Sequence, residues 1–497
     1  MYGEKVRLRY AGFVSFLSML FSVLTGLAFT IIITRKLPPA DFGFWQVISI
    51  TAVYFILTVD IVKYWAPRFI ARGNNVAKSS LVFSTGLGIL ASLGYITFSY
   101  ILCNTLSLEF FYFLVFSPQV FLSYISMTLE GVSQGYAPQY LGYSSTLFEI
   151  VKVTVAYLAI ITWNQWLLDA LIAVMLAQLA KAVYLLAVTW PVVREGCFEL
   201  EHVKHFIKFS WIPLYYHLTD FISVADVYIV VYFAKSTIPV AVFRVAQVLA
   251  QTVFYSSAFS QALYPRILAK KSGVDVEETL RLTFMFAFPI CAGLLVMAPS
   301  LLCIFGVKYL VAVHVLLVMA PALFLASLAG VLEIVIIGSE EVDSRKEAGF
   351  REYLKSRLFL LPTVKSIFQC VYLAILASLL ILRIFDAALA WAFAYALGQM
   401  LFLLWECWYS KKTIEFRFPL RSALKYFLAS VVMGVVLFYL GAGNIIIVKI
   451  FELLPRLFKY IVLGATIYFA IVLALDQYAR SLVVKAIKFI LNEVTER

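Results

Sequence analysis

The sequence predicts an all-α polytopic membrane protein with about 14 transmembrane helices, arranged as two pseudo-symmetric six-helix bundles followed by two C-terminal helices. Three observations carry this. Of 497 residues, 63% are hydrophobic and only 14% charged, with a mean hydropathy of +0.94, whereas a soluble chain carries about 25% charged residues. Fourteen stretches are apolar over nearly the length a hydrocarbon core of about 30 Å demands, roughly 20 helical residues. The basic residues also alternate in abundance from loop to loop.

The first six apolar stretches are 10–34, 42–62, 79–103, 108–129, 142–162 and 167–190. The next six are 210–233, 239–263, 282–306, 311–338, 358–382 and 387–409. The last two, 426–440 and 460–475, are shorter. With Met1 placed on the cytoplasmic side, the even-numbered loops and both termini hold 28 of the 40 Lys and Arg, the odd-numbered loops 8, and the spans 4. This is the positive-inside asymmetry. It predicts cytoplasmic termini in a plasma membrane and assigns the net charge of +12 to topology and anionic headgroups, not to a nucleic-acid partner. The first stretch is span-length and lacks a small-residue cleavage site, so it is expected to act as an anchor and not as a cleaved signal.

The six cysteines are scattered singly, without metal spacing, and are read as small apolar packing residues. The longest loop, 339–357, balances five acidic against five basic residues and leaves no room for a soluble catalytic domain. In the C-terminal piece, Ala479, Leu482, Val483, Ala486, Ile487 and Ile490 recur at helical spacing, which predicts a helix on the inner membrane surface. Residues 199–208 are a second candidate for that placement.

Internal repeats set the predicted domains. The junction 37–46 (LPPADFGFWQ) lines up with 235–244 (KSTIPVAVFR) at an offset of 198. Asp169, Ala170, Ala173 and Ala177 match Asp386, Ala387, Ala390 and Ala394 at an offset of 217, and Val151-Lys152 matches Val364-Lys365 at 213. Matching helices lie six spans apart, so the halves run parallel about an axis along the membrane normal. The expected domains are 1–198, 199–413 and 414–497, the last holding the two additional helices and an amphipathic tail.

Charge at membrane depth costs about 2.5–3.5 kcal/mol on insertion scales, so a charge that persists there faces a partner or water. Lys152, Lys181, Arg244 and Lys365 are the basic residues within spans, two from each half. They are candidates for a cationic cavity that draws in an anionic group, the alternative being simple pairing with nearby acids. Arg35 and Lys36 end the first helix, either reaching headgroups or facing the cavity mouth; Arg35 joins the candidate set. Asp226, Asp60, Glu149 and Glu333 are candidates to bind a coupling H+ or Na+, with Asp220 and Glu406 also at depth. Asp60 and Lys63, one turn apart, are expected to pair. His202 and His205 read as a solvated helix face and His314 as a packing residue. No Walker, GxSxG, HExxH or paired CxxC motif occurs, so no catalysis, cofactor, metal or ATP use is expected.

Several short motifs resemble the polysaccharide-transporter branch of the multidrug/oligosaccharidyl-lipid/polysaccharide (MOP) exporter superfamily, the Wzx-type flippases. They are Thr34-Arg35-Lys36-Leu37 followed by Asp41-Phe42-Gly43, then Pro67-Arg68, Phe209-Ser210-Trp211-Ile212-Pro213-Leu214, Ser223-Val224-Ala225-Asp226 and Ile304-Phe305-Gly306-Val307-Lys308-Tyr309. The resemblance implies a MATE/MOP-like fold and an oligosaccharide substrate on a polyprenyl phosphate or pyrophosphate carrier. It also implies movement from the inner to the outer leaflet by alternating access, for cell-surface polysaccharide or glycan biosynthesis, beside glycosyltransferases or a polymerase of the same pathway. Two departures stand out. Val227 follows Asp226 where many members carry arginine, and two helices exceed the usual twelve, as in lipid II flippases. An ion-coupled multidrug or lipid II exporter of the same superfamily, and a membrane-embedded glycan polymerase or ligase, are the alternatives.

Overall fold

A computed structural model describes residues 8–162, 166–260, 263–264, 267, 272–340 and 354–485. Among these the chain is helical, without strands. It divides into two compact units, Met1–Ala241 and Val242–Arg497. These units are defined by packing, whereas the repeat boundary near 198 describes sequence symmetry.

In the first unit, α1 (Leu8–Lys36) is separated from α2 (Pro39–Ile56) by Leu37-Pro38. Pro38 sits at φ −55° and ψ 150°, an extended conformation that ends the first helix, while Pro39 suits the first helical turn because that turn's N–H has no intrahelical acceptor. After one 3₁₀ turn, Leu57–Val59, the chain runs on through α3 (Asp60–Lys63) and α4 (Ala66–Ala71). Then follow α5 (Ala77–Leu106), α6 (Phe110–Tyr136), α7 (Gln139–Thr162) and α8 (Leu167–Glu195). Helix α7 packs along α1 and α8, and α6 along α5 and α8.

The seventh expected span is not one helix. It comprises α9 (Leu200–Lys208), α10 (Trp211–Tyr216), α11 (Leu218–Ser223) and α12 (Ala225–Ala234), with the segments Leu200–Tyr216 and Leu218–Ala234 bent by 56°. Pro213 supplies part of the reason, since it donates no backbone bond and crowds the preceding turn. Apolar composition alone does not report such a break. Residues 200–208 are helical as expected, but Phe206 is fully buried among Val62, Ala66, Ile70 and Leu129, so α9 is docked on the bundle.

The second unit takes in most of α13 (Ile238–Phe254), then α14 (Gly273–Leu302), α15 (Val313–Gly338), α16 (Arg357–Leu382), α17 (Ala387–Thr413), α18 (Leu420–Tyr439) and α19 (Ile450–Leu475). Helices α15 and α17 pack along each other, and α14 packs along α15 and α18. The last two helices begin earlier than the apolar runs suggest. Helix α19 starts ten residues before position 460, because Glu452, Arg456 and Lys459 interrupt the apolar composition without interrupting the helix.

Twelve described helices or helix runs are long and apolar enough to cross a bilayer, and the bent α9–α12 run makes a thirteenth. Helix α7 is not among them, although its 24 residues would extend about 36 Å at 1.5 Å per residue. The loop 341–353 and tail positions Ala486, Ile487 and Ile490 lie outside the described residues.

The sequence repeats correspond to packing devices. Asp386 caps α17, its carboxylate accepting bonds from the backbone N–H of Ala388 and Leu389 at 3.1 and 3.0 Å, as N-cap aspartates do. Ala170, Ala173 and Ala177 on α8, and Ala390 and Ala394 on α17, are fully buried; such small-residue faces let membrane helices approach closely. The two matched proline junctions touch. Thr237 donates its hydroxyl to the Ala40 carbonyl at 2.7 Å, and the Thr237 carbonyl oxygen lies 1.9 Å from where a Cβ on Gly43 would stand, so only glycine fits.

Candidate functional site

In the first unit, charged and hydroxyl groups from five helical segments are paired, Glu149 and Lys152 buried and the others half-buried. On α7, Lys152 pairs with Glu149 at 2.8 Å, and Thr25 of α1 donates to the same carboxylate at 2.7 Å. The Lys152 ammonium also lies 5.1 Å from the Phe29 ring centroid and 5.0 Å from that of Phe148. On α8, Lys181 pairs with Glu130 of α6 at 2.5 Å and stands 5.6 Å from Phe148. Glu130 also holds Lys63 of α3, at 2.9 Å. Phe148 is thus flanked by two ammonium groups, an arrangement that ring quadrupoles favour.

The expected Asp60–Lys63 pair is corrected here. Lys63 turns to Glu130, while Asp60 meets His217 Nε2 at 2.6 Å, and His217 Nδ1 meets Asp220 at 3.1 Å. One helical turn of spacing permits a pair, but a tertiary partner already in place wins. His217 sits where α10 gives way to α11, so the imidazole between two carboxylates ties the broken span to α3.

Beside it lies a cavity of about 730 Å³ bounded by α2, α5, α6, α11 and α12, with Tyr54, Phe98, Tyr124, Phe221 and Tyr228 on its walls. The tyrosine hydroxyls are already engaged. Tyr54 donates to the Phe221 carbonyl at 2.9 Å, Tyr228 to Thr51 at 2.9 Å and Tyr124 to the Phe55 carbonyl at 2.8 Å. The walls therefore present ring faces and not free donors. Asp226 starts α12, half-buried, on the helix that supplies Tyr228. Arg35 lies half-buried in the last turn of α1 and Lys36 next to it is exposed.

In the second unit, Arg244 of α13 bonds through Nη1 to the neutral Gln247 at 2.5 Å, its Nε is buried without a partner, and its guanidinium lies 5.7 Å from the Trp391 ring. Trp391 is fully buried, stacks on Phe243 at 3.9 Å and 5°, and donates to Tyr372 at 2.7 Å. Lys365 of α16 pairs with Glu333 of α15 at 2.7 Å, near Phe402 of α17.

Of the four basic residues expected within spans, Lys152, Lys181 and Lys365 are held by carboxylates. Among the described residues only Arg244 of these four keeps a charge that no carboxylate neutralises. The acidic candidates Glu149, Glu333 and Asp60 are likewise engaged. Two histidine readings are corrected. His205 stands edge-on to Trp65 and to Phe69, both at 4.9 Å, and is not a solvated face. His314, in the first turn of α15, is exposed and not a packing residue.

The group that the candidate set passed over is Glu406. It is fully buried on α17, with neither carboxylate oxygen bonded. Its signal was present in the sequence. Ala390, Ala394, Gly398, Phe402, Glu406 and Ser410 recur every four residues and are all buried, so the register of the small residues places this carboxylate in the core-facing ridge.

No family model matches the chain, and no curated relative matches it. Solved structures do. A lipid II flippase MurJ in an inward closed conformation superposes with a TM-score of 0.65 at 13% identity, covering 94% of this chain and 99% of that one. A MATE-family multidrug transporter of the MOP superfamily matches in its inward-facing form with a TM-score of 0.60 at 14% identity, over 79% of this chain and 95% of that one. An outward-facing MATE structure gives 0.54 at 15%, over 81% and 94%. At these identities the likeness establishes the fold alone: the chain is a multi-pass, all-helical membrane protein that shares the fold of these solved structures.

Proposed function

We propose that the chain is a flippase that carries a lipid-linked oligosaccharide, on a polyprenyl phosphate or pyrophosphate, from the inner to the outer leaflet of the plasma membrane. Both termini are cytoplasmic in this reading, and the two repeat-related bundles, 1–198 and 199–413, alternate access, with residues 414–497 appended. The observation that carries it is Arg244, an un-neutralised guanidinium over a buried tryptophan. An arginine fork matches phosphate oxygens, and the buried indole holds the guanidinium in place. In this proposal Arg35 extends the basic surface, and Lys365, Lys152 and Lys181, each held by a carboxylate here, contribute when the bundles rearrange and release them. A hydroxyl-rich head with a phosphate cannot enter hydrocarbon alone, since each unpaired polar group costs several kcal/mol; protein groups replace its water while the lipid tail stays in the bilayer.

Coupling to H+ or Na+ through Asp226, Asp60, Glu149 or Glu333 is part of the proposal. Lipid II transport is a second reading, supported by the MurJ likeness, which spans 94% of this chain against 79–81% for the two MATE structures.

Purified protein in liposomes, supplied with a fluorescent polyprenyl-pyrophosphate oligosaccharide and no ATP, should bring the label to the outer leaflet. Arg244→Ala should slow this about tenfold, the equivalent of 1.4 kcal/mol, with Arg244→Lys recovering part of it. Normal rates in both Arg244→Ala and Lys365→Ala would remove the cationic-cavity mechanism. Movement of labelled lipid II but not of the oligosaccharide carrier would select the second reading.

A further inference from the structure

Glu406 lies in a buried ridge of α17 otherwise made of alanine, glycine, phenylalanine and serine, in which Gly398 meets Tyr372 of α16 and Phe402 packs with Ala329 and Ile336 of α15. It has no exposure to solvent, and both its oxygens are unbonded. A carboxylate ion in that position would forgo hydration and gain no hydrogen bond in return, which proteins avoid by neutralising the group.

The charged groups acting on it are Glu333 from α15 and Lys365 from α16, and on α17 itself Glu406 in turn acts on the neighbouring Cys407. Arg244 meets α17 at Trp391, 15 residues and about 22 Å away along the helix. Glu333 and Lys365 already neutralise each other at 2.7 Å. The cluster therefore holds two carboxylates against one ammonium, one negative charge in excess.

We propose that Glu333, Lys365 and Glu406 form a proton-binding site, in which Glu406 carries the proton in the conformation described here. The proton adds to a Glu406 carboxylate oxygen and leaves to water. The Glu333–Lys365 pair is the route, because its side chains are 28% and 31% exposed while Glu406 is sealed behind them. When Glu406 loses its proton, Lys365 becomes the shared counter-charge of two carboxylates, and its hold on Glu333 weakens. Loss of one proton thus redistributes a salt bridge between α15, α16 and α17. Sodium fits less well: beyond Glu406, the orphaned oxygen nearest along this ridge is the single Ser410 hydroxyl, one turn on. That the proton drives translocation rests on the flippase reading; the site itself does not.

The test is infrared titration of the purified full-length chain in nanodiscs, in potassium buffers from about pH 5 to 9, where ordinary carboxyls are already ionised. A protonated-carboxyl C=O band that disappears on alkalinisation should be present in the wild type and missing in Glu406→Gln, whose amide mimics the neutral acid and should preserve the fold. In Glu333→Gln the freed Lys365 should drive Glu406 to its ionised form, moving the band's loss to more acidic pH. Identical bands in wild type and Glu406→Gln would overturn the site, and displacement of the band by sodium at constant pH would overturn the assignment to a proton. In liposomes, an imposed pH gradient should change the wild-type translocation rate, and Glu406→Gln should lose that response. A retained response would overturn coupling through Glu406. Absence of any lipid movement in the wild type, with the titration intact, would remove the flippase reading and leave the proton site standing.

Discussion

Lys152 and Lys365 are matched by sequence, each preceded by valine on a span of its own half, yet the structure uses them differently. Lys152 pairs within its own helix with Glu149, both side chains near 10% exposed, and two phenyl rings cover it. Lys365 reaches across to another helix, at about 30% exposure, with the unbonded Glu406 in the core behind. The first is a closed, neutral unit that locks α7 into its bundle. The second is open on one side and has a further carboxyl group, unbonded, behind it. Two lysines in the same local sequence thus have different surroundings, one paired within its own helix and covered by rings, and one partly open between two helices.

The largest expected effect of breaking this contrast is at the closed pair. Lys152→Met leaves Glu149 as an uncompensated buried charge, a loss of about 3–5 kcal/mol, seen as a lowered thermal unfolding midpoint in detergent. Adding Glu149→Gln should restore most of it, because the cost lies in the orphaned charge. If the single variant melts like wild type, the pair is not a lock.

A second rigid feature of the first unit is the contact of the two proline junctions. Gly43→Ala sets a methyl group 1.9 Å from the Thr237 carbonyl oxygen, and backbone must move to admit it. A cost of about 1–3 kcal/mol is typical of overpacking. Thr237→Ala should not relieve it, since the obstructing atom is main chain. Relief by that variant would mean that the side chain, and not the carbonyl, sets the spacing.

The open pair should respond least in stability. Lys365→Met is expected to cost about 1 kcal/mol or less, as for partly solvated ion pairs. A loss equal to that of Lys152→Met would erase the distinction between the halves.

Much of this architecture was legible beforehand, because the bilayer imposes a length and polarity rule that composition reports directly. Asp386 and the alanine stripes were visible in the repeats, and they are capping and close-packing devices, whereas the matching Asp169 lies inside α8 and does not cap it. What escaped were features set by tertiary choice. The break at His217 has an apolar sequence on both sides. Lys63 had an acid one turn away and took Glu130 instead. Among the functional candidates, charge at depth as a filter ranks an engaged Glu149 beside an unbonded Glu406. Only the four-residue register of Ala390, Ala394, Gly398 and Phe402 separates them, and that signal lies in the neighbours of the residue.

The smallest expected effect carries the contrast to the end of the last helix. Asp476 follows α19, is nearly buried, and meets the Tyr426 hydroxyl at 2.6 Å and Lys425 at 3.4 Å. Burial pushes its carboxyl up, but the Tyr426 and Lys425 bonds and the Lys425 and Arg281 charges outweigh that and hold it below the ordinary carboxylate value. A depressed folded-state value means that the stabilisation is complete above the unfolded value, near pH 4, and is lost as pH falls through the folded one. The unfolding midpoint should therefore drop as pH is lowered from about 5 to about 3. Tyr426→Phe removes the first of those bonds and narrows the gap between folded and unfolded values. Its midpoint should start lower and fall less steeply over the same interval. Parallel slopes in the two proteins would show that Asp476 is not the group being titrated, and that the attachment of α19 to α18 rests on apolar packing alone.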